Sequence, residues 1–396
     1  MALKRSHPPV VESSCDAVPA SAALDVEGLL RRLAGEKGAL KRARASVEDP
    51  AVQKRHVEAS AKEQAQCCIA AGDYLGPGRQ FRVEAQLGSG RFACVYRCSG
   101  AGGEVAVKVL RPEAEVREAG EREAALSRRF LAEAVGAHAG RQKYLAGLVS
   151  PETFEHHGRF CLVLDLCRCD LRHGLKRYCR NGGFPIGTCI GFCTDVFQAL
   201  SFLQDLRIIH ADLKPENLLL SADKSHVKLA DFGSAMSTKD CVCRADIQPR
   251  YYRAPEVMLG RRYDTQIDVW SAGATMFELA TGRILFVAGS NRTMMHEILK
   301  VIGALPSQMI AEGHFASHHF DLDSGFLLTD GSPIPLSALR EPTEPLLEDL
   351  RTLLGGTEAN VLASLANLIT NCLLPDPSDR INPEQALRHG FFKLRT

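Results

Sequence analysis

At 396 residues, with 45% apolar and 24% charged side chains, the chain is long enough for one large domain and a tail, and it can bury a sizeable core. A net charge of +1 argues against a chain that binds nucleic acid over its whole surface. No uninterrupted apolar run reaches about 18 residues, and the first residues, MALKRSHPPVVESS, lack the apolar stretch of a secretory signal. A soluble intracellular protein without a membrane span is therefore expected.

Residues up to about Ala71 are rich in Ala, Lys, Arg, Glu and Ser and poor in aromatics, the composition of a mostly disordered tail. Within it, Gly28, Gly35 and Gly38 each weaken a potential amphipathic helix by about 1 kcal/mol relative to Ala. The basic clusters Lys4-Arg5, Lys41-Arg42-Ala43-Arg44 and Lys54-Arg55 could serve as a nuclear import signal. From Gln80 the texture changes. FRVEAQL, ACVYRC and EVAVKVL alternate and are separated by Gly-containing turns, so they predict strands of an antiparallel sheet. EAGEREAALSRRFLAEA has helical composition, and FCLVLDL is a further strand. Beyond Cys169, helical patterns dominate: IGFCTDVFQALSFLQDL, TQIDVWSAGATMFELATG, TMMHEILKVIGAL and EANVLASLANLITNCLL. The fold class is thus α+β, with a small β-rich lobe, a larger helical lobe and a cleft between them. The fourteen cysteines include Cys67-Cys68, Cys167-Arg168-Cys169 and Cys241-Val242-Cys243, but no paired C-x-x-C units, and are expected to be reduced thiols.

Several motifs carry chemistry. Gly88-Ser89-Gly90, between two strands, lets backbone N–H groups approach a phosphate where a Cβ would collide. Val-Ala-Val-Lys ends at Lys108, whose ammonium can pair with phosphates and be held by a helix carboxylate. Glu123 fits that role better than Glu118 or Glu121. In the stretch HADLKPEN, Asp212 can accept the proton of an attacking hydroxyl and Lys214 can reach the transferring phosphoryl group. Asn217, with Asp231 of Asp231-Phe232-Gly233, offers oxygen ligands to a hard cation, which implies Mg²⁺.

The order and spacing of these motifs match the protein-kinase signature set. From about Gly72 to the end, the chain resembles eukaryotic protein kinases of the CMGC group. Within that group it is most similar to the Prp-four-type pre-mRNA-splicing kinases, near the dual-specificity tyrosine-regulated kinases. HADLKPEN, LADFGSA, RYYRAPEVMLGRRYDTQIDVWSAG, ELATGRILFVAGSNRTMMHEI and the insert-like GALPSQMIAEGHFASHHFDLD carry the resemblance. It implies a tail over 1–71 and a kinase domain over 72–396, with lobes at 72–165 and 166–396. It also implies ATP as cofactor, contacted by Leu87, Gly88, Ser89, Gly90, Val95, Ala106 and Lys108. The hinge should run from Asp165 to Cys167 behind the gatekeeper Leu164; Glu256 should pair with Arg380, and Asp268 should support the catalytic loop.

Three departures bear on control. Ala211 stands where most kinases carry an arginine that clamps an activating phosphate, so activation by that route is not expected. Asp246 stands where relatives carry a phosphorylated tyrosine, and its single charge is available to Arg250 and Arg253 as a partial substitute. Pro249 replaces a Ser or Thr whose hydroxyl commonly bridges the catalytic Asp and Lys, so the positioning of Asp212 and Lys214 should suffer. Ala93, in place of a third glycine, intrudes by only a methyl group. His314, His318 and His319 have no matching ligand frame and read as ordinary residues; so do Cys94 and Cys167 beside the nucleotide site.

The resemblance therefore implies a nuclear, monomeric serine/threonine kinase, with the dual-specificity kinases as near relatives. Its substrates would be proteins with Ser/Thr-Pro sites or Arg-Ser-rich splicing factors, without direct contact to nucleic acid or membrane. The competing reading is a pseudokinase scaffold that binds nucleotide and splicing partners without transfer, for which Pro249 is the main argument.

Overall fold

A computed structural model of the chain describes residues 69–394, apart from 150–152, 180–181, 242, 322 and 337–344. The expected disordered tail, except for residues 69–71, and all three of its basic clusters lie outside the described residues.

The alternating runs form one antiparallel sheet. Its strands are β1 (Tyr74–Leu75), β2 (Phe81–Ser89), β3 (Ala93–Gly100), β4 (Gly103–Leu110), β5 (Phe154–His156) and β6 (Arg159–Leu164), ordered β1-β2-β3-β4-β6-β5. The two-residue period explains their burial. Val105, Val107 and Val109 of β4 join Tyr96, Cys98 and Val163 in one small core, so Ala106 and Lys108 must face the other way, toward the cleft. On that second face lies α1 (Ala114–Glu133), which starts after Pro112 and buries Gly120, Glu123, Ala124, Ser127 and Phe130, a stripe at helical spacing. Gly120 sets how closely the helix approaches: a Cβ there would lie 2.0 Å from Leu110 Cδ1.

The chain crosses to the larger lobe between β6 and β7 (Cys167–Asp170). There, α2 (Leu171–Tyr178) is followed by α3 (Ile186–Asp205), β8 (Ile208–Ile209), β9 (Leu218–Ser221), β10 (Val227–Leu229) and β11 (Met236–Ser237). These short strands make two small sheets, β10-β9-β7 and β11-β8. Next come α4 (Pro255–Met258), α5 (Gln266–Thr281), α6 (Asn291–Ile302) and α7 (Ser307–Ala311). The insert-like stretch then leads into a small sheet of β12 (Phe320–Asp321), β13 (Phe326–Leu327) and β14 (Ile334–Pro335). The last helices are α8 (Pro345–Leu353), α9 (Ala359–Cys372) and α10 (Pro383–Leu387).

Every residue of α5 is buried, and Trp270 at its centre stacks on Phe286. By composition α3 is apolar and long enough to cross a membrane, yet it is mostly buried as a core helix against α5 and α10. Glu256 of α4 and Arg380 form a bidentate pair at 2.8 and 3.1 Å, with both side chains almost wholly buried. Arg380 also donates to the carbonyls of Gln266, Leu374 and Pro375, so the charge is satisfied on all sides. Among the described residues every cysteine is a free thiol.

Candidate active site

A cleft of about 450 Å³ separates the sheet from the helical lobe. Of the residues expected to contact a nucleotide, Leu87, Gly88, Val95, Ala106, Lys108, Asp165 and Cys167 line it, together with Leu164, Glu123, Asn217 and Asp231. Ser89 and Gly90 do not. Ser89 ends β2 opposite Cys94, and Gly90 opens the β2–β3 turn, where its N–H donates to the Ala93 carbonyl at 2.8 Å. The buried Arg111, just past β4, grips the same turn: its Nη2 donates to the Gly90 carbonyl at 3.1 Å and its backbone N–H to the Phe92 carbonyl at 2.9 Å. Sequence reasoning missed the cleft's Ala146, Leu219 and Ala230. Leu219, two residues past Asn217 on β9, was the one with a readable signal, because its strand neighbours Leu218 and Leu220 face the core.

Lys108 Nζ lies 2.8 Å from Glu123 Oε2 and 2.8 Å from Asp231 Oδ1. The period of β4 and the close approach at Gly120 bring strand and helix together here. Burial opposes the Lys108 charge, but the two carboxylates outweigh it and hold the ammonium above its ordinary pKa. Burial likewise opposes ionisation of Asp231, and Lys108 reverses that, leaving the carboxyl below its usual range. Phe130, on the helix that carries Glu123, packs edge-on against Phe232 with ring centroids 4.9 Å apart, so helix α1 meets the Asp231-Phe232-Gly233 segment there as well.

The loop between β8 and β9 carries the second cluster. Lys214 Nζ donates to both carboxylate oxygens of Asp212, at 2.8 and 2.9 Å. Asn217 Nδ2 donates to the Asp212 carbonyl at 2.8 Å and to Oδ2 at 2.7 Å. Asp268, buried on α5, takes the backbone N–H groups of His210 (2.6 Å) and Ala211 (2.9 Å). His210 Nδ1 accepts from the Asp212 N–H, so its proton sits on Nε2 and is donated to the Ala230 carbonyl at 3.0 Å. Ala211 is held at φ 63°, a left-handed backbone that costs a residue with a Cβ about 1–2 kcal/mol.

One expectation for the segment that follows needs correction. The Asp246 carboxylate makes no hydrogen bond to Arg250 or Arg253; Arg253 reaches only the Asp246 backbone carbonyl, at 3.4 Å. Its carboxylate pairs with Arg244 at 3.0 and 2.9 Å, and both side chains are more than half exposed. The reason is that the two arginines are already committed to carbonyls: Arg250 to Gly289 (2.5 Å), and Arg253 to Ile247 and Gln248 (both 2.8 Å). Asp212 and Lys214 touch directly, and no side chain at position 249 takes part in that contact. Gln248, at φ 68°, buries its amide between Ile267, Ser271 and the Ala254 N–H and fixes the segment from below.

Burial pushes the Cys167 thiol up to about 11, which keeps it protonated and unreactive, and Cys94 is buried. His319 is buried with its Nε2 3.2 Å from the Met258 carbonyl, and His318 stacks on Phe315. Among the described residues no three ligating side chains form a metal cluster. Asn217 and Asp231 provide an amide and a carboxylate on one wall of the cleft, a hard-oxygen pair that suits a divalent cation whose coordination substrate phosphates complete.

Comparison with known proteins agrees with this geometry. The chain is 29% identical to the serine/threonine-protein kinase prp4 of Schizosaccharomyces pombe over 79% of its own length and 66% of the relative's. It is 27% identical to prpf4B of Dictyostelium discoideum over 79% of itself and 40% of that protein. With the serine/threonine-protein kinase AFC3 of Arabidopsis thaliana it shares 27% identity over 81% of itself and 83% of the relative. It thus spans less than two thirds of the length of the first two. Residues 81–392 match the protein kinase domain, and the chain belongs to the protein kinase family.

Proposed function

We propose that the chain is a serine/threonine protein kinase that transfers the γ-phosphoryl group of MgATP to sites followed by proline. The observation that carries the reading is that Asn217, hydrogen-bonded to the Asp212 carboxylate beside Lys214, lines the same cleft as the Lys108–Glu123–Asp231 cluster. In this reading Asp212 orients the substrate hydroxyl and takes its proton as the O–P bond forms and the bond to the β-phosphate oxygen breaks. Lys214 stabilises charge on the transferring group, and Lys108, steadied by Glu123, orients the α- and β-phosphates. Asn217 and Asp231 would hold Mg²⁺, which supplies charge neutralisation to the phosphates when bound. The direct contact of Lys214 with Asp212 speaks against the scaffold reading.

Preference for proline is supported by Gln248. Its left-handed backbone turns its carbonyl onto Arg253, so that acceptor is spent. A peptide residue with an N–H at that point leaves a donor unmatched, whereas proline has none to leave. Spliceosomal proteins and a nuclear location follow from the motif resemblance alone. The test is transfer from MgATP to a pool of Ser/Thr-Pro and Arg-Ser peptides by phosphatase-treated protein, with Asp212→Asn alongside. Transfer to Pro-containing peptides by the unaltered chain only is the expected result; equal transfer by both proteins, or none by either, overturns it.

A further inference from the structure

Two carboxylates converge, one of them close in sequence to Asp212. Glu216 lies four residues past Asp212 and lines the cleft, and Glu278 rises from α5. Side chains from two other elements meet them: Arg172 of α2 and Tyr252 of the segment after Pro249. Arg172 Nε donates to Glu216 Oε1 at 2.9 Å, Nη2 to the Tyr252 hydroxyl at 2.6 Å and to Glu278 Oε2 at 3.3 Å, and Nη1 pairs with Glu278 Oε1. The Tyr252 hydroxyl in turn donates to Glu278 Oε2 at 2.5 Å. Glu278 is sealed at 1% exposure and Arg172 is 18% exposed, whereas Glu216 keeps 44% of its surface open.

A paired, partly buried carboxylate set beside the phosphoacceptor position is the chemistry that captures a guanidinium. Here all three nitrogens of a guanidinium are already in place, and they come from the chain itself. Glu216 lines the cleft four residues past Asp212, which brings the cluster beside the position where a peptide would present its hydroxyl. We infer that Arg172 occupies, from within, the subsite that would otherwise bind an arginine on the amino-terminal side of the target residue. The chain thereby takes substrates that lack a basic residue there. The inference rests on the kinase reading and narrows it: of the two substrate classes considered, the Arg-Ser-rich one is disfavoured. The reason is energetic. An incoming arginine meets a like charge at close range and finds only the outer oxygen of Glu216, and a surface pair of that kind contributes about 0–1 kcal/mol.

The cluster also accounts for Tyr252. Its hydroxyl is buried between Arg172 and Glu278 and is closed to modification, while the neighbouring Tyr251 is half-buried.

The experiment compares two peptides that differ only in carrying arginine or alanine at the second and third positions before a Ser-Pro site. For the unaltered chain, the ratio of kcat/KM for the arginine peptide to that for the alanine peptide is expected at or below one. In Arg172→Ala, which frees Glu216 and Glu278, this ratio rises at least about tenfold, as a charge-assisted pair becomes available; Arg172→Lys brings it back down. A residue that merely braced the fold would lower both peptides equally and leave the ratio unchanged. An unchanged ratio in Arg172→Ala, or arginine preference in the unaltered chain, overturns the inference. If no peptide is phosphorylated, the kinase reading falls on its own, and the ratio of Kd values for the same two fluorescent peptides still decides the question about Arg172.

Discussion

Gly120 and Leu110 meet where a side chain on the first would collide with the second, and this contact places Glu123 against Lys108. Leu110 is only 3% exposed and is hemmed in by Phe160 and Ala124, so it has little room to turn aside. Gly120→Val must therefore move helix α1 outward. Overpacking of this kind costs about 1–3 kcal/mol. The effect on transfer should be larger, because a displacement of about 1 Å at a reacting group can cost about a hundredfold. The expected outcome is a loss of kcat of at least about tenfold with the melting transition still cooperative, read by peptide phosphorylation and circular dichroism.

Arg111 holds the tip of the β2–β3 turn by two carbonyls, and the strands leading into that turn line the cleft through Leu87, Gly88 and Val95. A hydrogen bond from a charged donor contributes about 1.5–3 kcal/mol. Loosening the turn should weaken nucleotide retention more than chemistry. Arg111→Met is expected to raise KM for ATP about five- to tenfold with kcat within about twofold, and Arg111→Lys should recover part of the loss. Equal changes in both constants would instead point to general damage. A fluorescent nucleotide displaced by excess ATP reports the off-rate directly.

Burial holds the His319 imidazole down at about 4 from its ordinary 6.5, and the fold keeps it neutral. The unfolded chain takes up a proton below about pH 6.5 that the folded chain refuses until about pH 4. Stability from this group is thus present above pH 6.5 and lost as pH falls toward 4. Between pH 7 and 5 the loss is roughly 2 kcal/mol. Urea denaturation at the two pH values should show it, and His319→Gln should lose correspondingly less on acidification. A variant as acid-sensitive as the parent would contradict this account.

Asp246 was expected to matter through Arg250 and Arg253, but its contact with Arg244 leads to a different outcome. The Arg244 hydrogen bonds and charge lower its carboxyl pKa, so any stability it adds is present above its unfolded pKa and lost as pH falls below it. With both partners largely exposed, the contribution is at most about 0.5 kcal/mol. Asp246→Ala should leave peptide phosphorylation within about twofold of the parent. A loss of tenfold would mean that the carboxylate acts in a way the Arg244 pair does not explain.

The sequence reveals what is local. Strand alternation around Lys108, the helical stripe through Glu123, and the short spacings that join Asp212, Lys214 and Asn217 all lie within one element or one loop. What it hides are partners far along the chain. Arg172 and Glu278 are separated by 106 residues, and nothing near either announces the other. A glycine-rich string likewise marks a turn but not which of its residues line the cleft: Gly88 does, whereas Ser89 and Gly90 lie beyond it.

Asp268 grips the catalytic loop by the backbone N–H groups of residues 210 and 211 and never touches the side chain at 211. That grip holds the backbone of any residue at 211 that tolerates a left-handed conformation, but the Ala211 methyl is itself only 3% exposed, packed into the core of the larger lobe. A longer side chain there needs an exit from that core, so the course of the loop and the room beside it are set by different neighbours.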